Sequence, residues 1–429
     1  MKAFLKHIIV ALLTLEAKLV LAKYTPRVVV ITGSVGKTST KDAVAEVLSR
    51  QFFIRKSEKS YNSETGVPLT ILGCKNPWNN YTKWLQVLWE GLLLVLLPNH
   101  YPKILVLEVG ADKPGDVRSM MRWITPDVVI VTKLPDIPVH VEAYASPGET
   151  RDEEFSPACA LPPEGTLIYN ADDAYAADLA GGVSAAVRTF GYAAEADTRI
   201  EKSWVCYEQG KVHGLHLNLL HDNETHKLIV ADTVGEHQAY PIGAALEAGK
   251  VFGISREEMN SALERYIPPA GRMRIIEGRS GATIIDDSYN ASPVAVRAAL
   301  ETLQDIETQG KRIAVLGDML ELGTFSMDEH RKAGACAVGA ADMLVTVGVR
   351  AYGIAEGAKE AGMPDERIHS FDTAEDAGVW LRTQVGEGDL VLVKGSQGVR
   401  TERVVERLIK DPSLCEKVLV RQDREWKQR

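Results

Sequence analysis

The sequence predicts an α/β protein with a central domain over residues 27–270, built on a mostly parallel sheet, and a C-terminal Rossmann-like, doubly wound domain over 271–429. A largely apolar, amphipathic helix over 1–26 precedes both. Three observations carry this. Short β-branched runs such as 28–32, 127–132 and 312–317 read as strands buried on both faces, and helical stretches alternate with them. The first run passes through a glycine turn, 33–36, directly into a helix opening at Lys37. Finally, the stretch 268–273, Pro-Pro-Ala-Gly-Arg-Met, marks a hinge after which the alternation starts again.

Composition narrows the class. At 429 residues and 45% hydrophobic content the chain can fill the cores of two or three domains. A net charge of −9 and a pI near 5.7 leave no basic stripe for a nucleic-acid backbone, so small-molecule partners are expected. The five cysteines are far apart and form no Cys-x-x-Cys, which fits a reducing cytoplasm and suggests neither disulfides nor zinc.

The first 22 residues have the basic start and apolar run of a secretory signal, but Glu16, Lys18 and Lys23 interrupt the run and no small-residue cleavage site follows. A retained helix is expected. It either packs on the protein or lies in a membrane interface with Lys2, Lys6, Lys18 and Lys23 near the headgroups.

The turn after the first strand is a phosphate cradle of P-loop type. Gly33 and Gly36 let backbone N–H groups close on an anion, with Ser34 between them, and the helix N-terminus at Lys37, Thr38 and Ser39 adds partial positive charge. Lys37 can neutralise outer phosphates and Thr38 can ligate Mg²⁺, so ATP and Mg²⁺ are the expected cofactors. Ile31 stands where the full Walker pattern has its first glycine.

Residues 52–56 then read as a short strand and 61–72 as a polar loop entering a helix, with Asn62 and Thr65 placed to touch a ligand. The apolar segment 84–97 is too short to span a membrane; a buried helix is the default and an interfacial helix the sharper reading. Strand 103–112 carries Glu108 near its C-terminal end, where ligands of parallel sheets collect, making it a candidate Mg²⁺ ligand facing Lys37. Strand 127–132 leads through a proline-rich loop to His140 and Glu142, and His140 is a second metal candidate. Residues 166–173 give another strand, 185–235 look β-rich, and two helices follow over 238–252 and 255–266. Beyond the hinge the expected order is strand 282–286, helix 293–304, strand 312–317, helix 328–339, strand 342–347, helix 351–361, strand 390–393 and helix 399–409. Polar residues cluster at the strand ends: Asp286, Asp287, Asn290, Asp318, Lys394 and Ser396.

Together these stretches resemble the Mur ligases, and within that family the branch that adds D-alanyl-D-alanine to a cell-wall precursor. The matching motifs lie at 32–39, 66–70, Glu108 to Ala111 with Pro114 and Gly115, 271–273, 286–291, 316–323 with His330 and Arg331, and 393–396. Each is weak alone; their order is specific. The resemblance implies a cytoplasmic ligase of peptidoglycan biosynthesis that forms an amide through an acyl phosphate. Lys37 and Thr38 would handle phosphates and one Mg²⁺, and Glu108 and His140 would hold metal. Arg272 would contact the nucleotide, Asp287 its ribose side, and Asn290, Lys394 and Ser396 the ATP or the amino substrate. The C-terminal domain would swing about residue 270.

Four departures from the family pattern bear on substrate and activity. The family's N-terminal UDP-binding domain has no counterpart ahead of the cradle, where only the 22-residue helix stands. The position of the family's carbamylated lysine holds Glu154, which supplies a carboxylate to the catalytic set or else belongs to a solvated charged helix at 151–154. Gln238 and Pro241 replace asparagines expected around His237 on the adenine side, and Lys133 replaces an asparagine after the strand ending at Thr132. Two further readings therefore stay open beside that one. One is a related amide ligase acting on a different, lipid-linked carboxylate. The other is a catalytically degenerate ATP-binding partner protein; peripheral membrane contact through 1–22 and 84–97, at the inner face, would suit either.

Overall fold

The computed structural model describes residues 2–58 and 60–427, with side chains described from residue 6 onward apart from Lys59, so the expectation for Met1 and for the Lys2 side chain lies outside the described residues. The first part of the chain runs α1 (Lys2–Tyr24), β1 (Arg27–Thr32), α2 (Lys37–Leu48), β2 (Ile54–Lys56), α3 (Gly66–Leu72), α4 (Tyr81–Leu96) and β3 (Ile104–Glu108). It continues through α5 (Asp116–Met121), β4 (Val128–Val131), α6 (Pro147–Cys159), β5 (Thr166–Asn170), α7 (Ala174–Ala180) and β6 (Ala186–Gly191). A hairpin extension β7 (Thr198–Glu208), β8 (Lys211–His221) and β9 (Glu224–Ala231) precedes α8 (Ala239–Val251) and α9 (Arg256–Leu263).

These nine strands form one sheet in the order β2-β3-β1-β4-β5-β6-β7-β8-β9, parallel up to the β6–β7 pairing and antiparallel beyond it. Side chains alternate across the strands, which explains the two cores. Val29, Ile31, Val106 and Ile130 face α2, α8 and α9, while Val28, Val30, Leu105, Leu107 and Val129 face the layer that holds α1 and α3 to α7. Each such side chain contributes about 1.5–3 kcal/mol by leaving water. Helix α8 is rich in small residues for a reason: a Cβ on Gly249 would stand 2.9 Å from Val47 of α2 and 2.4 Å from the Met259 sulfur of α9. Helix α9 opens with a capping box between Ser255 and Glu258.

The second sheet is built from β10 (Arg274–Glu277), β11 (Thr283–Asp287), α10 (Pro293–Asp305), β12 (Arg312–Gly317), α11 (Ser326–Ala340), β13 (Met343–Val347) and α12 (Tyr352–Glu360). Then come β14 (Ile368–Phe371), α13 (Ala374–Leu381), β15 (Leu390–Lys394), α14 (Glu402–Leu408), α15 (Cys415–Val418) and α16 (Arg424–Lys427). The order is β10-β11-β15-β12-β13-β14, parallel except for β10 at one edge. Helices cover both faces.

Several elements depart from the sequence reading, and these are the main ones. Strand β10 intervenes between residues 268–273 and β11, pairing antiparallel with β11. The β14–α13 unit fills the gap between 361 and 390; β14 is a four-residue edge strand, Ile-His-Ser-Phe, with none of its residues fully buried, so it lacks the apolar run that marks the others. The helix expected over 399–409 starts only at Glu402, because Arg400 takes a left-handed backbone (φ 63°) after a single 3₁₀ turn. Among the described residues, no helix is long and apolar enough to cross a membrane.

Candidate active site

Parallel sheets gather ligands at the C-terminal ends of their strands. Here the two sheets turn those ends toward each other across a cavity of about 1250 Å³. Of the residues singled out from sequence, Ser34, Gly36, Lys37, Thr38, Ser39, Asn62, Thr65, Glu108, His140 and Glu154 line it from the first sheet. Arg272, Asp287, Asn290, Lys394 and Ser396 line it from the second. Gly33 lies beneath the wall instead. Its φ of 112° and the Thr132 hydroxyl, 2.5 Å from where a Cβ would stand, leave room only for glycine. Gly36, at φ 89°, closes the turn as the N-cap from which α2 begins at Lys37.

At the floor of the cradle the Ser34 N–H donates to Lys133 O at 2.8 Å, and the Lys37 ammonium bridges the carbonyls of Gly33 and Ser34. The registered pairing of Ile31 with Glu108 brings the end of β3 beside the cradle. Thr38 Oγ1 lies 3.1 and 3.3 Å from the two Glu108 oxygens and 3.1 Å from Ser60 Oγ, and buried Lys41, one turn along α2, stands 3.6 Å from the same carboxylate. Among the described residues no three His, Cys, Asp or Glu side chains stand together as a ready-made cage. A hydroxyl beside one carboxylate at a phosphate cradle instead matches Mg²⁺, which takes one or two protein oxygens and completes its shell with phosphates and water.

Glu154 is not solvated. Helix α6 turns it inward, 3% exposed, and its two oxygens accept from Ser34 Oγ at 2.8 and 2.7 Å. Burial pushes its pKa up to about 7, against the opposing pull of Lys37 and the Ser34 hydroxyl. His140, held at φ 66°, donates through Nδ1 to Glu321 Oε2 at 2.7 Å and keeps Nε2 3.5 Å from Asp112 Oδ1. Burial lowers its pKa, but the hydrogen bond and charge of Glu321, helped by Asp112, outweigh that and leave it above the ordinary histidine value. Glu321 belongs to the loop after β12, so this contact joins the two sheets' edges. The Glu142 N–H donates to Glu321 O at 3.4 Å in the same place.

On the second sheet, parallel register sets Asp287 opposite Lys394. Lys394 Nζ lies 2.5 Å from Asp287 Oδ2 and donates to Asn290 O at 3.0 Å, while the Met273 N–H donates to Asp287 Oδ1 at 3.2 Å. Ser396 Oγ accepts from the Leu320 N–H at 2.9 Å, and the Arg272 guanidinium stacks 4.2 Å from the centre of the Tyr289 ring. Asn290 Oδ1 accepts from the Ala291 N–H.

Sequence reasoning missed several lining residues. Phe190, Tyr192 and Tyr240 form an edge-to-face aromatic wall, with centroids 6.4 and 5.6 Å apart, beside Gln238 and Pro241. Phe190 and Tyr192 lay in β-rich material and Tyr240 in the helix that follows it, none of them in a motif. His237, next to this wall, is held neutral by burial, its pKa lowered to about 4. Lys133, which also lines the cavity, turns its ammonium to Asp173, 3.9 Å away. Trp78 and Trp426 meet edge-on at 6.2 Å at the far end of the cavity, one from each part of the chain. Glu321 was inside a recognised stretch, but nothing in the sequence said that it would face His140.

Comparison with known proteins follows this geometry. Residues 31–249 match the Mur ligase middle domain, and 271–397 match the Mur ligase glutamate ligase domain. The UDP-N-acetylmuramoyl-tripeptide–D-alanyl-D-alanine ligase of Bacillus subtilis is 29% identical over 397 residues, covering 92% of this chain and 79% of that protein. The Escherichia coli enzyme of the same name is 28% identical over 389 residues, with 89% and 76% covered. The crystal structure of the MurF ligase from Thermotoga maritima in complex with ADP superposes with a TM-score of 0.75 at 25% identity, covering 93% of this chain and 83% of that one. With the cradle, the carboxylates and the paired lysine all on one cavity, and with its middle-domain match spanning half of the sequence, the chain belongs to the Mur ligase family.

Proposed function

We propose that this chain is an ATP-dependent acid–amino-acid ligase of the MurF type, joining a carboxylate of a cell-wall precursor to the amino group of D-alanyl-D-alanine. The observation that carries the reading is the single cavity onto which a phosphate cradle from one sheet and the Lys394–Asp287–Asn290 set from the other converge. The similar ligases named above act on these substrates, and the related Thermotoga structure holds ADP.

In this reading the acceptor carboxylate attacks the γ-phosphorus, the bond to ADP breaks, and an acyl phosphate forms. The amine then attacks the carbonyl carbon, loses one proton, and phosphate departs. The protein's part is positioning and charge neutralisation. The cradle N–H groups and Lys37 hold the phosphates; Thr38 and Glu108, with His140 as a further candidate, would hold Mg²⁺, which would supply positive charge to the phosphates. Glu154 sits behind Ser34, where its family counterpart carries a carbamate; at pH near 7 it is divided between carboxyl and carboxylate, so it can orient Ser34 in either form. The aromatic wall with Gln238 offers the adenine a flat apolar slot, Arg272 and Asp287 flank the nucleotide, and Asn62, Thr65, Asn290, Lys394 and Ser396 border the acceptor and amino substrate. The hinge lies at 268–273, between the domains 27–270 and 271–429. Five free cysteines fit a cytoplasmic setting.

Phosphate release with ATP, Mg²⁺, D-alanyl-D-alanine and the UDP-linked tripeptide, with the amide product identified by mass, tests this reading. No release with any carboxylate acceptor would overturn it. One observation favours a second acceptor class, a lipid-linked carboxylate, together with peripheral membrane contact: α1 and α4 expose apolar side chains next to the Trp78 end of the cavity.

A further inference from the structure

Helices α1 and α4 lie side by side on the outer face of the first sheet. Glu16 of α1 lies against Gly91 of α4, where an added Cβ would come within 2.1 Å of its carboxylate, and Lys23 Nζ donates to the carbonyls of Leu94, Val95 and Leu97. The helices therefore run parallel, with their C-terminal ends together.

Each buries one stripe and exposes another that is equally apolar. Leu13, Ala17 and Val20 of α1 and Val87, Gly91 and Leu94 of α4 are buried. Ile8, Leu12, Leu15 and Leu19 are exposed along α1, and Leu85, Trp89, Leu92 and Leu96 along α4, with Leu85 69%, Trp89 60% and Leu96 65% open to solvent. Leu12 and Leu19 stand one turn either side of Glu16, and Leu85 and Leu92 one turn either side of Leu88, itself one turn from Gly91. The two stripes thus border the same seam and make one continuous apolar face, larger than the isolated apolar residues normal on a soluble surface.

The surrounding charge says what covers this face. Helix α1 has four lysines against one glutamate in a chain of net charge −9. Lys18 is exposed beside the stripe, Lys6 is exposed and, among the described residues, pairs with the exposed Glu64, and Lys75 and Lys83 are exposed about the start of α4, whose one acidic residue is the exposed Glu90. Burial holds the pKa of Glu16, the acidic group of the seam, up at about 7, which reduces its negative charge. Apolar stripes carrying a tryptophan, rimmed by lysines on an otherwise acidic protein, have the chemistry of an interfacial lipid-binding surface.

We propose that the α1–α4 face docks the protein onto a bilayer containing anionic lipid. Trp78 and Asn76, which line the cavity, directly precede the Asn80 cap of α4. Docking therefore brings that end of the cavity to the membrane surface, and its use in taking a lipid-linked acceptor rests on the ligase reading above, whereas docking itself does not.

The test pellets the full chain, without substrates, with vesicles of phosphatidylcholine alone or with one-third phosphatidylglycerol. At least tenfold stronger binding to the anionic vesicles is expected, with most of it lost in the combined variant Leu85→Ser, Trp89→Ser, Leu96→Ser and weakened severalfold by Lys18→Glu alone, a surface change that leaves folding intact. Equal pelleting of all three proteins, pelleting with neither vesicle, or a concentration-dependent dimer that the triple variant abolishes would overturn the proposal. Phosphate release with soluble substrates, measured separately without vesicles, reads the ligase assignment alone, so failure of one is distinguishable from failure of the other.

Discussion

The two sheet edges that meet at the cavity hold their charges differently. On the second sheet two buried ion pairs are already made, Lys394 with Asp287, both nearly inaccessible, and Arg421 with Glu402 at 2.7 Å, while Asp286 beside them is met by the neutral Ser288 N–H, and burial pushes its pKa up to about 6. On the first sheet the Lys37 ammonium rests on two backbone carbonyls, Glu154 on a serine hydroxyl, and Glu108 on Thr38 with Lys41 farther off at 3.6 Å. A buried charge met by neutral dipoles costs more than one met by an opposite charge. In the proposed reaction the first edge therefore stands to gain most from entering phosphates and a divalent cation, whereas on the second the Lys394–Asp287 pair neutralises itself and mainly fixes positions.

The largest expected effect breaks the comparison at its most ligand-dependent point. Lys37→Ala should lower the rate of phosphate release by about 10³-fold, the scale of removing one preorganised donor to developing charge, while thermal stability stays close to that of the parent. A variant that unfolds early but retains more than a tenth of the turnover would show that Lys37 is structural.

On the second edge the expectation reverses, and stability is the readout. Lys394→Ala leaves Asp287 buried without its cation, which costs about 3–5 kcal/mol and lowers Tm by roughly 10 °C for a domain of this size. The double change Lys394→Met with Asp287→Leu should recover most of that loss, because both ions go together. A double variant no more stable than the single one would mean that the pair is not self-neutralised in the way the geometry indicates.

Glu154 sharpens the contrast through pH. Its folded pKa, about 7, lies above the ordinary carboxyl value of 4.5, so the folded state binds more protons and the stability this group contributes falls as pH rises from about 4.5 through 7. Glu154→Gln removes that penalty. The variant should unfold at the parent's temperature near pH 4.5 and be more stable by about 3 kcal/mol at pH 8, with turnover at pH 8 reduced. Parallel Tm–pH curves for parent and variant would falsify the shift.

How far the sequence revealed this site follows from what each residue's neighbours had to be. The strands, the cradle and Glu108 were legible because they depend on local pattern: a buried β-branched run, a glycine pair, a carboxylate at a strand end. Strand β14 was not, since an edge strand with half-exposed residues has no apolar run to betray it. Glu154 was placed by counting from His140, but whether it pointed inward depended on how α6 packs under Thr32, whose hydroxyl donates to Glu154 O at 2.5 Å. The aromatic wall of Phe190, Tyr192 and Tyr240 was invisible for the same reason. Its members come from β6, the turn after it and α8, and only the tertiary fold brings them together.

Glu321 is a residue through which the two edges touch, and it gives the smallest expected effect. It sits on the second sheet's loop yet sets the state of His140 on the first, holding Nδ1 at 2.7 Å and raising the imidazole's pKa while its own is lowered by the same bond. Partners of this kind orient metal-facing histidines, and losing one typically weakens metal affinity about 10–100-fold. Glu321→Gln keeps the shape and a hydrogen bond but removes the charge, so the Mg²⁺ concentration giving half-maximal phosphate release should rise about tenfold, at the mild end of that range. The maximal rate at saturating Mg²⁺ should change little, and His140, followed by its imidazole NMR shifts, should titrate at lower pH. If the Mg²⁺ requirement is unchanged while the maximal rate drops, Glu321 acts by closing the two domains onto each other, and the first edge does not depend on the second for the arrangement of its metal site.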